Sequence, residues 1–415
     1  MNQLFLIKIS MKRCFIFQFS LLLTLNVYSQ SAEDYCKQGI KKIETGNFNG
    51  AISDCNNAIE KNPKYANAYN LRGIAKAGLG ENIEAISDFS KAIKINPKYY
   101  DAYCSRGLVK TDLKDFKGAI ADYNIAIEIN PNCALAFSNR AALKTDLNDY
   151  AGAISDYTKA IEINPKDALL YTNMGVLKYK LKEFTEAILD FNKAIEIDST
   201  NLLAYCSRGL AKTILKDYKG ADADYNKAIE INPKFPLAYY NRGSLREHYE
   251  DYNGAILDYT SAIKFDSLYA SAYNNRGMVK TILKDDIGAI SDFDKALEIN
   301  PKDASIYNNR GSVKTYLDDA MGAISDFDKA LEIDSTFLDP YVNRGVVKRH
   351  IKDYSGAISD FNKAIEIDSR CSSAYYNRGM IKIAMGQKIE GCMDLKKAGK
   401  LGLTEAIWEL SQNCK

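Results

Sequence analysis

ANAYNLRGIAKAGLGENIEAISDFSKAIKINPKY, residues 66–99, is one copy of a pattern that recurs eleven times at a fixed interval of 34 residues. With Ala66 as place 1 of its unit, and Ala32 as place 1 of the first, a small residue stands at place 8 throughout. It is Gly39, Gly73, Gly107, Ala141, Gly175, Gly209, Gly243, Gly277, Gly311, Gly345 and Gly379, with no residue inserted or lost. A strict period of this size marks a solenoid, in which each unit needs its neighbours to cover its apolar face. Inside the unit, apolar and small residues recur at three- and four-residue spacing in two stretches, broken near Gly80 and at Asn96-Pro97. That spacing predicts two short helices joined by a tight turn.

Place 4 is always aromatic, from Tyr35 and Tyr69 to Tyr375, with Phe137 the one phenylalanine. Place 20 is Ala from Ala51 to Ala357 and Gly391 in the last unit, place 24 is aromatic in nine units, and place 27 is Ala in all eleven. Small residues at places 8 and 20 let two backbones approach, and the aromatics fill the space between successive hairpins. Pro63, Pro97, Pro131, Pro165, Pro233 and Pro301 are expected to stop the second helix, with Asp-Ser in place of Asn-Pro at Ser199, Ser267, Ser335 and Ser369.

This pattern resembles the tetratricopeptide repeat over about nine-tenths of the chain, from Ala32 onward. The resemblance implies an all-α, right-handed superhelical solenoid of helix-turn-helix repeats whose concave face is lined by first helices. One departure is Arg at place 7 in nine units (Arg72, Arg106, Arg140, Arg208, Arg242, Arg276, Arg310, Arg344, Arg378), where the family usually has leucine. A cation follows at place 11 and an Asp at place 23 in every unit. An ion-pair ladder between the helices is expected, and as exposed pairs its members would contribute only about 0–1 kcal/mol each. It would then set stacking register more than bulk stability.

Repeats three and six are nearly copies, and His248 and His350 repeat the same three-unit offset, as a duplicated block would. The organisation expected is a signal segment at 1–29, eleven repeats over 32–405 and a capping helix over 406–415. Lys12 and Arg13 precede an apolar run from Cys14 to Tyr28, and Val27 and Ser29 form a small-residue cleavage site before Gln30. The run, about 15 residues, is short against the roughly 20 that span a bilayer, so no integral span is expected once the signal is removed. Met11 is a second candidate start. Export to a periplasmic, envelope or secreted setting follows. In the cap, Ala406, Ile407 and Leu410 should face the array with Trp408 packed beside them.

The 55 basic and 53 acidic residues nearly cancel and alternate along each repeat, so no stripe suited to nucleic acid or anionic lipid stands out. The sequence holds no phosphate loop, nucleophile elbow, C-x-x-C pair or H-E-x-x-H helix, and two histidines leave few ligands. No enzyme activity, cofactor or metal is expected. Eight cysteines remain after signal removal, an even number in an exported chain. Cys392 and Cys414 flank the Gly399–Gly402 turn, and Cys36 and Cys55 flank the turn near Gly46; both pairs are candidate disulfides.

Place 6 carries Asn139 and Asn173, then Ser207 as a gap, then Asn241, Asn275, Asn309, Asn343 and Asn377. Side-chain amides offer a donor and an acceptor, which suits a peptide backbone whatever its side chains. The row resembles the asparagine ladder in the tetratricopeptide superhelix of O-GlcNAc transferase, although no catalytic domain follows it here. Bridging between neighbouring helices is the alternative use of these amides. Chaperone-tail readers of the family use groove lysines, where this chain has Asn67, Asp101, Leu135, Cys104, Asn274 and Asn308, so a carboxylate clamp is not expected. The expected function is a protein-interaction scaffold that takes an extended peptide or partner protein in its groove. The rival expectations are a secreted array using its outer face, and an accessory subunit of an envelope enzyme assembly.

Overall fold

The computed structural model describes residues 30–414. The expected signal segment, its cleavage site and Met11 lie outside the described residues. Among the described residues the chain forms helices α1–α23 and no strand, an all-α repeat solenoid. First helices, from α1 (Ala32–Glu44) to α21 (Ser372–Ala384), have 13 residues each. Second helices, from α2 (Phe48–Lys61) to α20 (Tyr354–Ile367), have 14; α22 (Lys388–Lys400) has 13, and α23 (Thr404–Asn413) closes the chain. Two compact units are distinguished, one through Ser207 and one from Arg208, with the division inside α11 (Leu202–Ile214).

The second helices start where place 16 caps them. Asp285 accepts from Gly288 N–H at 3.0 Å, and the same Asp or Asn to Gly bond recurs in seven other repeats. Glycine at place 19 is required by this cap, because a Cβ on Gly288 would stand 2.2 Å from the Asp285 carboxylate. Where place 19 is Glu84, Glu186 or Glu390, the residue at place 16 is Glu81, Glu183 or Gln387 and no side-chain cap forms. The helices end at place 31, where an Asn or Asp side chain accepts the N–H two residues on. Asn62 does so for Lys64 at 3.0 Å and Asp334 for Thr336 at 2.9 Å. The same side-chain turn forms in Asn-Pro repeats (Asn62, Asn96, Asn130, Asn232) and in Asp-Ser repeats (Asp198, Asp266, Asp334, Asp368), so the stop does not depend on proline.

Ala at places 20 and 27 is fully buried, and each place-24 ring lies against the place-8 glycine. A Cβ built on Gly311 would stand 2.8 Å from Phe327 Cε1. Repeat four carries Ala141 against Tyr157, both buried, so a ring shift accommodates one methyl. Gly311→Ala is expected to cost little, while Gly311→Val should lose about 1–3 kcal/mol by overpacking. Thermal unfolding of the two variants checks the difference.

The ladder is buried, not exposed as expected. In repeat eight, on α15 (Ala270–Ile282) and α16 (Asp286–Ile299), Arg276 Nε and Nη2 donate to Asp292 Oδ2 and Oδ1 at 2.8 and 2.6 Å. Lys280 Nζ lies 2.8 Å from the same carboxylate, which is 3% exposed. All nine place-7 arginines form this fork. The remaining Arg276 amine, Nη1, donates to Thr260 of the preceding repeat at 2.9 Å, and the guanidinium lies over the Tyr273 ring. One side chain thus ties two helices of its own repeat to the repeat before it, which is how the pattern fixes stacking register. Repeat five has Met174 in place of Arg, and Asp190 keeps only Lys178, at 2.6 Å. Burial there holds the Asp190 carboxyl above its ordinary range, with the Lys178 hydrogen bond opposing it.

Candidate functional site

At 100° per residue, places 2, 5, 6, 9, 12 and 13 of a first helix share one arc, away from the places 4, 8 and 11 that meet the second helix. In the second unit this open face belongs to α13 (Pro236–His248), α15, α17 (Ala304–Tyr316), α19 (Leu338–His350) and α21. Ser244, Met278, Ile282 and Tyr316 are exposed on it.

The asparagines stand on this face but are not equivalent rungs. Asn309 Nδ2 donates to Asn274 Oδ1 and Asn343 Nδ2 to Asn308 Oδ1, both at 3.0 Å and both to the preceding first helix. Asn275 Nδ2 donates to the Tyr240 and Tyr259 hydroxyls at 3.2 and 3.4 Å. Asn377 turns to its own helix, donating to the Ser373 carbonyl at 2.8 Å. Asn241 differs from all of these, since it is 5% exposed and its buried Nδ2 has no acceptor among the described residues. In the first unit Asn139 and Asn173 are half-buried on α7 (Ala134–Asp146) and α9 (Ala168–Lys180). Bridging between helices thus occupies the amide nitrogens of three asparagines and leaves the carbonyl oxygens of Asn309 and Asn343 for other donors.

The Tyr259 hydroxyl that Asn275 holds also faces a carboxylate on α13. Place 12 holds Thr in five repeats, and Thr111 and Thr213 touch the place-24 tyrosine hydroxyl at 3.4 Å. Repeat seven has Glu247 there, half-buried and hydrogen-bonded by the Tyr259 hydroxyl of α14 (Tyr252–Phe265). Burial pushes its carboxyl up to about 7, with the Tyr259 hydrogen bond pulling the other way. The place-12 column contains a single carboxylate, and that is the signal that could have found it.

This shift has a thermodynamic consequence. A carboxyl whose folded value is raised favours the protonated form, so its contribution is present below the unfolded value and is lost as pH rises to about 7. Glu247→Gln should match the parent near pH 4.5 and unfold at a higher temperature than it at pH 8. A melting-temperature gap that does not change with pH would contradict the burial of this charge.

Cys392 and Cys414 are joined in a disulfide with Cα atoms 5.7 Å apart. The other proposed pair is corrected. Cys36 and Cys55 are in no disulfide; both are buried in one apolar cluster, where Cys55 Sγ faces the Gly39 backbone at 3.5 Å from a built Cβ. Burial pushes these thiols up to about 11 and about 12. At the carboxyl end Ala406 and Leu410 pack on Leu395 and Ala398, whereas Ile407 and Trp408 are 56% and 62% exposed, so the tryptophan does not pack beside the cap as expected. Among the described residues no helix is long and apolar enough to cross a membrane.

Paired helices of fixed length, repeated at a fixed interval with one face of every first helix left open, define an all-α repeat scaffold. Tetratricopeptide repeat profiles match residues 66–99, 100–133, 168–201, 270–303 and 338–371, and a further TPR repeat profile matches 143–182 and 211–247. The chain belongs to the tetratricopeptide repeat family. Its fold is similar to that in the Cut9–Hcn1 hetero-tetramer of the APC/C, at 14% identity and TM-score 0.51 over 92% of this chain and 96% of that one. Yeast Tom70 matches at 17% identity and TM-score 0.43, covering 92% of this chain and 94% of its own. A tetratricopeptide repeat protein from Parabacteroides merdae matches at 22% and 0.46, covering 61% and 97%. At these identities the likeness is one of fold alone. No curated protein matches the chain.

Proposed function

We propose that this chain is a non-catalytic scaffold that holds an extended segment of a partner protein on the open face of its first helices. The observation that carries this is the row of place-6 amides at a constant 34-residue interval, with one buried N–H left unpaired at Asn241. First helices of successive repeats lie about 9–10 Å apart, and three residues of extended chain span about 10 Å. The Asn309 and Asn343 carbonyls are then spaced to accept backbone N–H groups three residues apart. An exported setting is part of the proposal and is supported by the amino-terminal sequence and by the Cys392–Cys414 disulfide.

A second reading has its own observation. Ile287, Met321 and Ile389, at place 18 of second helices, are 72–80% exposed and would serve an array that binds through its outer face. The two separate on paired variants. Asn309→Ala and Asn343→Ala should weaken partner binding and also cost stability, about 1 kcal/mol for each lost bridge, whereas Ile287→Ser with Met321→Ser should leave binding unchanged. The reverse pattern in an affinity measurement would transfer the function to the outer face.

A further inference from the structure

The open face carries one feature that scaffold stability does not explain. At repeats three and six a threonine meets the tyrosine hydroxyl without burying a charge. At repeat seven Glu247 stands at the same place, near the Tyr259 hydroxyl, and puts a carboxylate in partly buried surroundings with no counter-ion among the described residues. The cations nearest to it in sequence and on the adjoining helix are committed elsewhere. Arg246 Nη1 lies 3.1 Å from Asp258 and donates to the Gly254 carbonyl, and Lys280 pairs with Asp292. His248 is exposed and lies against Tyr218 in a tilted ring contact, with ring centroids 4.4 Å apart. From α13 the group beside this network is the Tyr240 phenol, from α14 the Tyr259 phenol, and from α15 the neutral amide of Asn275. None supplies a positive charge.

The surroundings of Glu247 are those of a receptor for a cation. Tyr240 stands 5.8 Å from Tyr259 and 4.9 Å from Tyr269, ring centroid to ring centroid, so aromatic faces gather there. Asn275 holds the Tyr240 and Tyr259 hydroxyls at 3.2 and 3.4 Å and so fixes both rings. Ring faces attract an ammonium or guanidinium, and a carboxylate pairs with it. One turn before Glu247, at place 9, the small and exposed Ser244 leaves the approach open. On the same helix the unpaired Asn241 Nδ2 offers a buried donor to a carbonyl oxygen.

We propose that Glu247, framed by Tyr240, Tyr259 and Asn275, is the acceptor for a lysine or arginine side chain of an extended peptide, whose backbone carbonyl takes the vacant Asn241 N–H. The occupant is a peptide and not a small amine, because the buried amide donor and the carboxylate lie at two levels of one helix, six residues apart, and a chain with a carbonyl and a cationic side chain satisfies both. This rests on the open-face binding described above.

The test uses the full chain at pH 8 and two fifteen-residue Ser/Thr/Gly peptides, acetylated and amidated, identical except for a central Lys or Gln. Binding is followed by chemical shifts of the Asn241 and Asn275 side-chain amides. The Lys peptide should bind at least about tenfold more tightly, as a charge-assisted contact implies, and an Arg peptide should behave like it. Glu247→Gln should abolish the preference, bringing the affinities for the Lys and Gln peptides together. Equal affinity of both peptides for the parent, or a Lys preference that survives Glu247→Gln, overturns the proposal and leaves open-face binding intact. Binding of neither peptide overturns both.

Discussion

Replacing Asp292 by Ala is expected to destabilise the second unit by about 3–5 kcal/mol, since the change leaves two partly buried cations without their shared carboxylate. Arg276 loses both arms of its fork and Lys280 its only ion-pair partner among the described residues. The effect should be local. In a repeat array each unit answers mainly to its neighbours, so hydrogen exchange should quicken in α15 and α16 before it does in distant helices. Arg276→Met should cost less, because Asp292 then keeps Lys280, the arrangement that Asp190 and Lys178 already have beside Met174. Urea unfolding of both variants gives the comparison. A loss below about 1 kcal/mol for Asp292→Ala would place the fork among ordinary surface pairs.

Opening the Cys392–Cys414 bond has the next largest expected effect. The two cysteines are 22 residues apart in sequence, and closing a loop of that size contributes about 3 kcal/mol in the chain-entropy model. The bond ties α23 to α22, whose Leu395 and Ala398 are covered by Ala406 and Leu410. Cys414→Ser should therefore fray α23 and hasten exchange in α22, leaving the remaining repeats as they were. Reduction of the parent protein should reproduce the variant, and unchanged exchange in α22 and α23 would show that packing alone holds the cap.

The period was legible because one residue type per place repeats without an insertion, and a core of place-8 glycine, place-20 alanine and place-24 rings follows from that alone. The Cys392–Cys414 bond was within reach because a turn between two short helices lies between the cysteines. Burial of the ladder was not legible. Charged residues in regular columns look like a solvated face until Asp292 is seen to be buried in the Arg276 fork, with the guanidinium lying over the Tyr273 ring. Nor were the asparagine partners, since Asn309 bonds a residue 35 positions earlier at a different place of the repeat. Trp408 was misplaced because α23 packs a narrow stripe, Ala406 and Leu410, and its neighbour at 408 falls outside it. Glu247 is the one carboxylate of its column, but its burial depends on the fold and is not visible in the sequence.

The most direct test of open-face binding is selection from a random fifteen-residue peptide library on the parent chain, followed by retention on two variants. Ser244→Trp fills the open face at an exposed place-9 position, and Ser325→Trp places the same ring on an exposed second-helix position. Peptides enriched on the parent should be lost on Ser244→Trp and kept on Ser325→Trp, with both variants as helical as the parent. Retention on Ser244→Trp with loss on Ser325→Trp would contradict the account and assign binding to the outer face.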